Sequence, residues 1–66
     1  MRVIINGHPH QAPGAMSLAQ AVALLTSAES GVAAAVNGAV VRRSAWDGTP
    51  LAEGDEVEVL TAVQGG

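Results

Sequence analysis

The chain has 66 residues, no cysteine, no lysine, and three arginines against six acidic residues, for a formal net charge of −3. That length allows one domain at most, with a core that withdraws only about 60% of the unfolded surface from water and no disulfide or thiolate zinc site to reinforce it. Arg42 and Arg43 are the only adjacent cations, too few to track a phosphate backbone, so nucleic acid is not an expected partner.

Arg2 to Asn6 is a β-branched run that ends at Asn6-Gly7. An Asn-Gly pair between strand-like segments predicts a two-residue hairpin, because both central positions of a type I′ turn need positive φ. Val3 and Ile5 then face the core and Ile4 the opposite side. The return strand starts near His8 and fades at Pro13-Gly14. Ser17 opens a helix: with Gln20 three residues on, it forms a capping box. Leu18, Ala21, Val22 and Leu25 follow at i, i+3, i+4 and i+7 as one apolar stripe, and Thr26, Ser27 and Gly31 lead out. Val32–Val36 reads as a second strand, closed by Asn37-Gly38 into Val40-Val41. Arg43 to Leu51 reads as irregular, and Gly54-Asp55 turns into a last strand from Glu56 to Val63. There Val57 and Val59 alternate with Glu56 and Glu58, the period of a half-buried strand. Hairpin, helix, hairpin, loop and final strand imply an α+β, β-grasp (ubiquitin-like) fold, a four- to five-stranded mixed sheet around one helix. Residues 1–66 form a single domain on this reading, with a flexible Gly-Gly tail at 64–66.

No apolar run approaches the ~20 residues that span a bilayer, and Met1-Arg2 leads into a strand and not into a signal-peptide core. No membrane partner and a cytoplasmic location are therefore the expectation. The small aliphatic core leaves little room for an enclosed pocket of ~300 Å³, which argues against an autonomous enzyme. His8 and His10 share a strand face, yet no third ligand completes a zinc site, so no metal is expected. Ser17 has no base beside it and is read as a cap, not a nucleophile. Glu53, Asp55, Glu56 and Glu58 lack calcium-loop spacing and read as a solvated face open to a basic partner. Trp46, the lone aromatic, reads as a core or loop anchor.

The last strand runs into Gln64-Gly65-Gly66, and on this reading the working group is the terminal carboxylate of Gly66. A tail without Cβ atoms can thread a narrow channel, and Ala62 to Gly66 span at most about 17 Å when extended. Several stretches carry a resemblance: Ile5-Asn6-Gly7, Ser17-Leu18-Ala19, Ala35-Val36-Asn37-Gly38, Val41-Arg42-Arg43-Ser44-Ala45-Trp46, Leu51-Ala52-Glu53-Gly54-Asp55 and Val59 to Gly66. Together they resemble the ThiS (ThiS/MoaD-type) family of thiamine-biosynthesis sulfur carriers over essentially the whole chain. Arg42 departs from the proline that family often has there, and Arg43 matches its arginine.

The resemblance implies a carrier that is not itself an enzyme. An E1-like (ThiF-like) adenylyltransferase would adenylate Gly66 with ATP, a sulfur-donor enzyme's persulfide would convert it to a thiocarboxylate, and a ThiG-like thiazole synthase would take the sulfur. The chain would bind no cofactor, since without lysine it has no phosphate-binding loop of its own and ATP must sit on the partner. Gly65 and Gln64 would thread the partner's active site, while Leu60, Ile4 and Arg43 are candidate partner contacts. Two other readings remain open: a small subunit of molybdopterin synthase, and a ubiquitin-like modifier or interaction module.

Overall fold

A computed structural model describes residues 1–28 and 30–62. Five strands and one helix follow in the order β1 (Arg2–Ile5), β2 (His8–Gln11), α1 (Leu18–Leu25), β3 (Val32–Val36), β4 (Ala39–Val41) and β5 (Glu56–Thr61), with a 3₁₀ turn at Arg43–Ala45. The strands form one mixed sheet in the order β2-β1-β5-β3-β4, in which β1 and β5 are parallel and the other pairs antiparallel. This is the β-grasp arrangement, with the last strand in the middle.

Local chemistry explains each element. Both hairpins turn on Asn-Gly pairs with positive φ throughout: Asn6 at 51° and Gly7 at 80°, Asn37 at 49° and Gly38 at 84°. Those angles suit the right-handed twist of the flanking strands. Ser17 caps α1 through a complete capping box: its Oγ accepts from Gln20 N at 3.2 Å, and Gln20 Oε1 accepts from Ser17 N at 2.8 Å.

The core lies between one sheet face and α1. Val3, Ile5, Val57, Val59 and Ala34 come from the sheet, Leu18, Ala21 and Val22 from the helix, and Trp46 and Leu51 from the connecting segment. Leu18, Val3, Ile5 and Val57 are fully enclosed. Trp46 is also buried, and its indole N–H donates to Val41 O at 2.8 Å, the partner an enclosed indole needs.

Three sequence expectations change. Leu25 lies on the predicted apolar stripe, yet it is 44% exposed and is not among the buried residues of the core. The stripe fixes the direction of the buried face, while the extent of the sheet beneath decides how many turns it covers. β5 runs to Thr61 with Ala62 outside the strand, and Val63, where the sequence placed its end, lies outside the described residues. The segment predicted as irregular from Arg43 to Leu51 contains the 3₁₀ turn and is tied to the helix: Leu18 N donates to Thr49 O at 2.8 Å, Ala19 N to Trp46 O at 3.2 Å, and Leu51 N to Met16 O at 2.9 Å.

Among the described residues, no helix is long and apolar enough to cross a membrane.

Candidate functional site

Gln64, Gly65 and Gly66, the tail singled out from the sequence, lie outside the described residues. The described part of the site is the strand that delivers them and the surfaces around it.

β5 is gripped from both sides. On the β3 side its register runs from Val36 opposite Val57 to Val32 opposite Thr61, and Ala62 N donates to Gly31 O at 2.6 Å. On the β1 side, Ile4 N donates to Asp55 O and Asn6 N to Val57 O, both at 2.9 Å. Where β1 turns away, the Asn6 side chain continues its ladder: Oδ1 accepts from Val59 N at 2.8 Å and Nδ2 donates to Val59 O at 3.1 Å. Asn37 does the corresponding work at the start of the strand. Its backbone N donates to Glu56 O at 2.7 Å, its Oδ1 accepts from Glu56 N at 3.0 Å, and its Nδ2 donates to Asp55 Oδ1 at 3.1 Å. Each asparagine that makes a hairpin turn thus also pins the central strand. The sequence identified both residues as turn formers; the pairing with β5 spans 53 and 19 residues and has no local signal.

The sheet face away from α1 is the exposed one. Register places Ile4 beside Glu56 on that face, with Glu58 and Leu60 following along β5 and Ala33, Ala35 and Val40 on the adjoining strands. Leu60 is 69% exposed and Val40 81%. Together with Ala33, Ala35, Gly38 and Glu58 they line one shallow apolar groove. Ile4 and Leu60 share the face, with the carboxylates of Glu56 and Glu58 between them along the strand. Val40 was missed as a member of this surface; its alternation with the half-buried Val41 in a short hairpin strand was the available signal. Arg43 lies elsewhere. Its guanidinium stacks on Trp46, 5.1 Å from the ring centroid, and lines a groove with the α1 residues Ala19, Val22 and Ala23.

The remaining candidates have structural roles. Two of the acidic residues read as a solvated face are backbone acceptors: Glu53 takes Arg2 N on both carboxylate oxygens, at 3.1 and 3.2 Å, and Asp55 Oδ2 takes Ala52 N at 2.7 Å. Glu56 and Glu58 remain as the acidic row of the open face. The first helical N–H groups are satisfied by Thr49 O, Trp46 O and Ser17 Oγ, so the start of α1 offers no free donors to an anion. His8 and His10 face the same side of the edge strand opposite Ile5 and Val3, and among the described residues no group of three or more metal-ligating side chains comes together.

The ThiS family model matches residues 3–66 of the chain. The crystal structure of the thiamine biosynthesis protein ThiS from Geobacter metallireducens is similar at 32% sequence identity and a TM-score of 0.77, covering 100% of both chains. The NMR solution structure of a thiamine biosynthesis protein from the same organism is similar at 32% identity and a TM-score of 0.78, covering 100% of this chain and 88% of that one. No curated protein matches the chain.

Proposed function

Since the chain belongs to the ThiS family, we propose that it carries sulfur for thiamine biosynthesis on the terminal carboxylate of Gly66, as a protein cosubstrate of other enzymes. The observation that carries the proposal is the reach of the family match, which runs from residue 3 through the two final glycines.

A terminal carboxyl has an ordinary pKa of about 3.3–3.7, so at neutral pH it is an anion and a poor acyl electrophile. Adenylation remedies this. A carboxylate oxygen attacks the α-phosphorus of ATP, pyrophosphate leaves, and the acyl carbon gains AMP as a leaving group. Persulfide sulfur then displaces AMP to give an acyl disulfide, and a partner's thiol attacks its outer sulfur, forming a new disulfide there as the thiocarboxylate leaves. That soft nucleophile delivers its sulfur to a thiazole synthase. ATP and the reacting sulfur are held by the partners; this chain supplies the acyl group and the handle by which it is grasped. Gly65 and Gln64 enter the partner's site, where the absence of a Cβ at residue 65 relieves crowding.

The open sheet face is the proposed docking surface. Leu60 and Val40 form its apolar part, Ile4 its rim, and Glu56 and Glu58 favour a partner with basic residues around an apolar contact. Arg43, stacked on Trp46 beside the helix, would engage a partner only through a second surface.

The test combines the full chain with its E1-like adenylyltransferase and ATP, and in parallel deletes its gene. Pyrophosphate release that depends on Gly66, together with a growth requirement for thiamine, supports the proposal. Release without a thiamine requirement, accompanied by loss of molybdoenzyme activity, assigns the carrier to the other pathway. No release removes the proposal altogether.

A further inference from the structure

The bonding of β5 stops short on one side. Ala62 N donates to Gly31 O on the β3 side, so even-numbered residues of β5 bond toward β3 and odd-numbered residues bond the opposite way. The odd positions fit: Asp55 O accepts from Ile4 N, Val57 O from Asn6 N, and Val59 bonds to the Asn6 side chain. Thr61 is the next rung. It pairs with Val32 of β3 at a position without hydrogen bonds to that strand, and its own N–H and C=O point to the side that β1 has left at the Asn6-Gly7 turn. Among the described residues, none hydrogen-bonds them.

Space accompanies the free rung. A Cβ built on Gly7 would meet no atom within 4 Å, so no side chain crowds the turn at that residue. The other sheet edges are poor templates: β2 carries Pro9, which lacks an N–H, and β4 has three residues. Among the described residues, Thr61 thus presents a backbone donor and acceptor together at the end of the central strand, on the strand that leads to the terminus. It stands five residues before Gly66, where any enzyme that draws in the terminus must pass.

We infer that the backbone of Thr61 is a docking rung for an extended segment of the adenylyltransferase, which continues the line of β1 past the Asn6 side chain and adds a short strand to the sheet beside β5. Backbone pairing of this kind supplies affinity and fixes the direction in which the tail leaves the body, with little dependence on side chains. The inference deepens the carrier reading above and rests on it.

Two measurements on the full chain with the purified adenylyltransferase and ATP test it. Thr61→Pro removes the N–H of the rung without removing a bond to β3, and Thr61→Val keeps it. With Thr61→Pro, the KM of the chain in pyrophosphate release should rise about tenfold, the effect of a lost rung, while Thr61→Val should stay near wild type. Hydrogen exchange on the unmodified chain is independent of any substitution. The Thr61 amide should exchange freely in the chain alone and slow at least about tenfold in the complex, as a newly bonded amide does. A Thr61 amide that stays unprotected in the complex overturns the inference, as does a folded Thr61→Pro variant with wild-type KM. Protection that grows with concentration in the absence of the enzyme also overturns it, since a second copy would then occupy the edge. Where the wild-type chain is adenylated and Thr61 proves indifferent, only the docking rung falls; where it is not adenylated at all, the carrier reading falls with it.

Discussion

Replacing Asn6 with alanine tests whether the hairpin asparagines hold the central strand. Asn6→Ala removes two part-buried hydrogen bonds to Val59, at 2.8 and 3.1 Å, each contributing about 0.5–1.5 kcal/mol net. It also places an ordinary side chain at a φ of 51°, which costs roughly another 1 kcal/mol. The sum is about 2–4 kcal/mol. A domain of 66 residues has roughly 3–10 kcal/mol of stability in all, so the variant should sit near the edge of folding. With a urea m-value of about 1 kcal/mol/M, its unfolding midpoint should fall by about 2–4 M. Trp46, the lone aromatic and buried, reports the transition by fluorescence. Asn6→Gly keeps the turn conformation while losing the same bonds, and should recover about 0.5–1 kcal/mol relative to alanine once the extra freedom of the unfolded glycine chain is counted. A loss below about 0.5 kcal/mol for Asn6→Ala, the ordinary range of a surface substitution, would refute the view that this side chain acts as a rung of the sheet.

Other substitutions probe the remaining parts. Leu18 is fully enclosed, so Leu18→Ala should cost about 2.7–5 kcal/mol and leave much of the chain unfolded at 25 °C by circular dichroism. Leu24, 56% exposed and next to last in the same helix, should tolerate alanine within about 0.5 kcal/mol in urea titrations. Arg43→Ala should cost no more than about 1 kcal/mol, the range of an exposed cation–π contact, while Trp46→Phe should cost more because the Val41 carbonyl loses its donor. Leu60→Asp and Val40→Asp should leave the urea midpoint nearly unchanged and raise the KM for adenylation, and the wild-type rate at low substrate should fall with added salt if Glu56 and Glu58 meet basic residues. Gly65→Val should fold normally and fail to be adenylated, as judged by pyrophosphate release.

Much of the architecture is legible in the sequence because its causes are local. Asn6-Gly7 and Asn37-Gly38 state their turns outright, Ser17 and Gln20 cap the helix between themselves, and Val3, Ile5, Val57 and Val59 declare their buried side through a period of two. The rest depends on partners far along the chain. The pairing of Asn6 with Val59 joins residues 53 apart, and the carbonyls of Trp46 and Thr49 that finish the helix N-terminus come from a loop that reads as irregular. Glu53 and Asp55 look like surface charge until their carboxylates are seen against the backbone of Arg2 and Ala52. Leu25 shows the opposite failure: periodicity put it on the buried stripe, and the buried part of the helix ends at Val22, a turn earlier. Of the candidate contacts, alternation placed Leu60 on the open face, while Arg43 was separated from it by its packing on Trp46.

Conversion of Gly66 to a thiocarboxylate is read directly by the intact mass of the chain. After incubation with ATP, the adenylyltransferase and a persulfide donor, the mass should change by the exchange of one oxygen for sulfur, located by fragmentation to the C-terminal residue. An unchanged mass in the presence of active partners, or a stable bond from Gly66 to another protein, would contradict it.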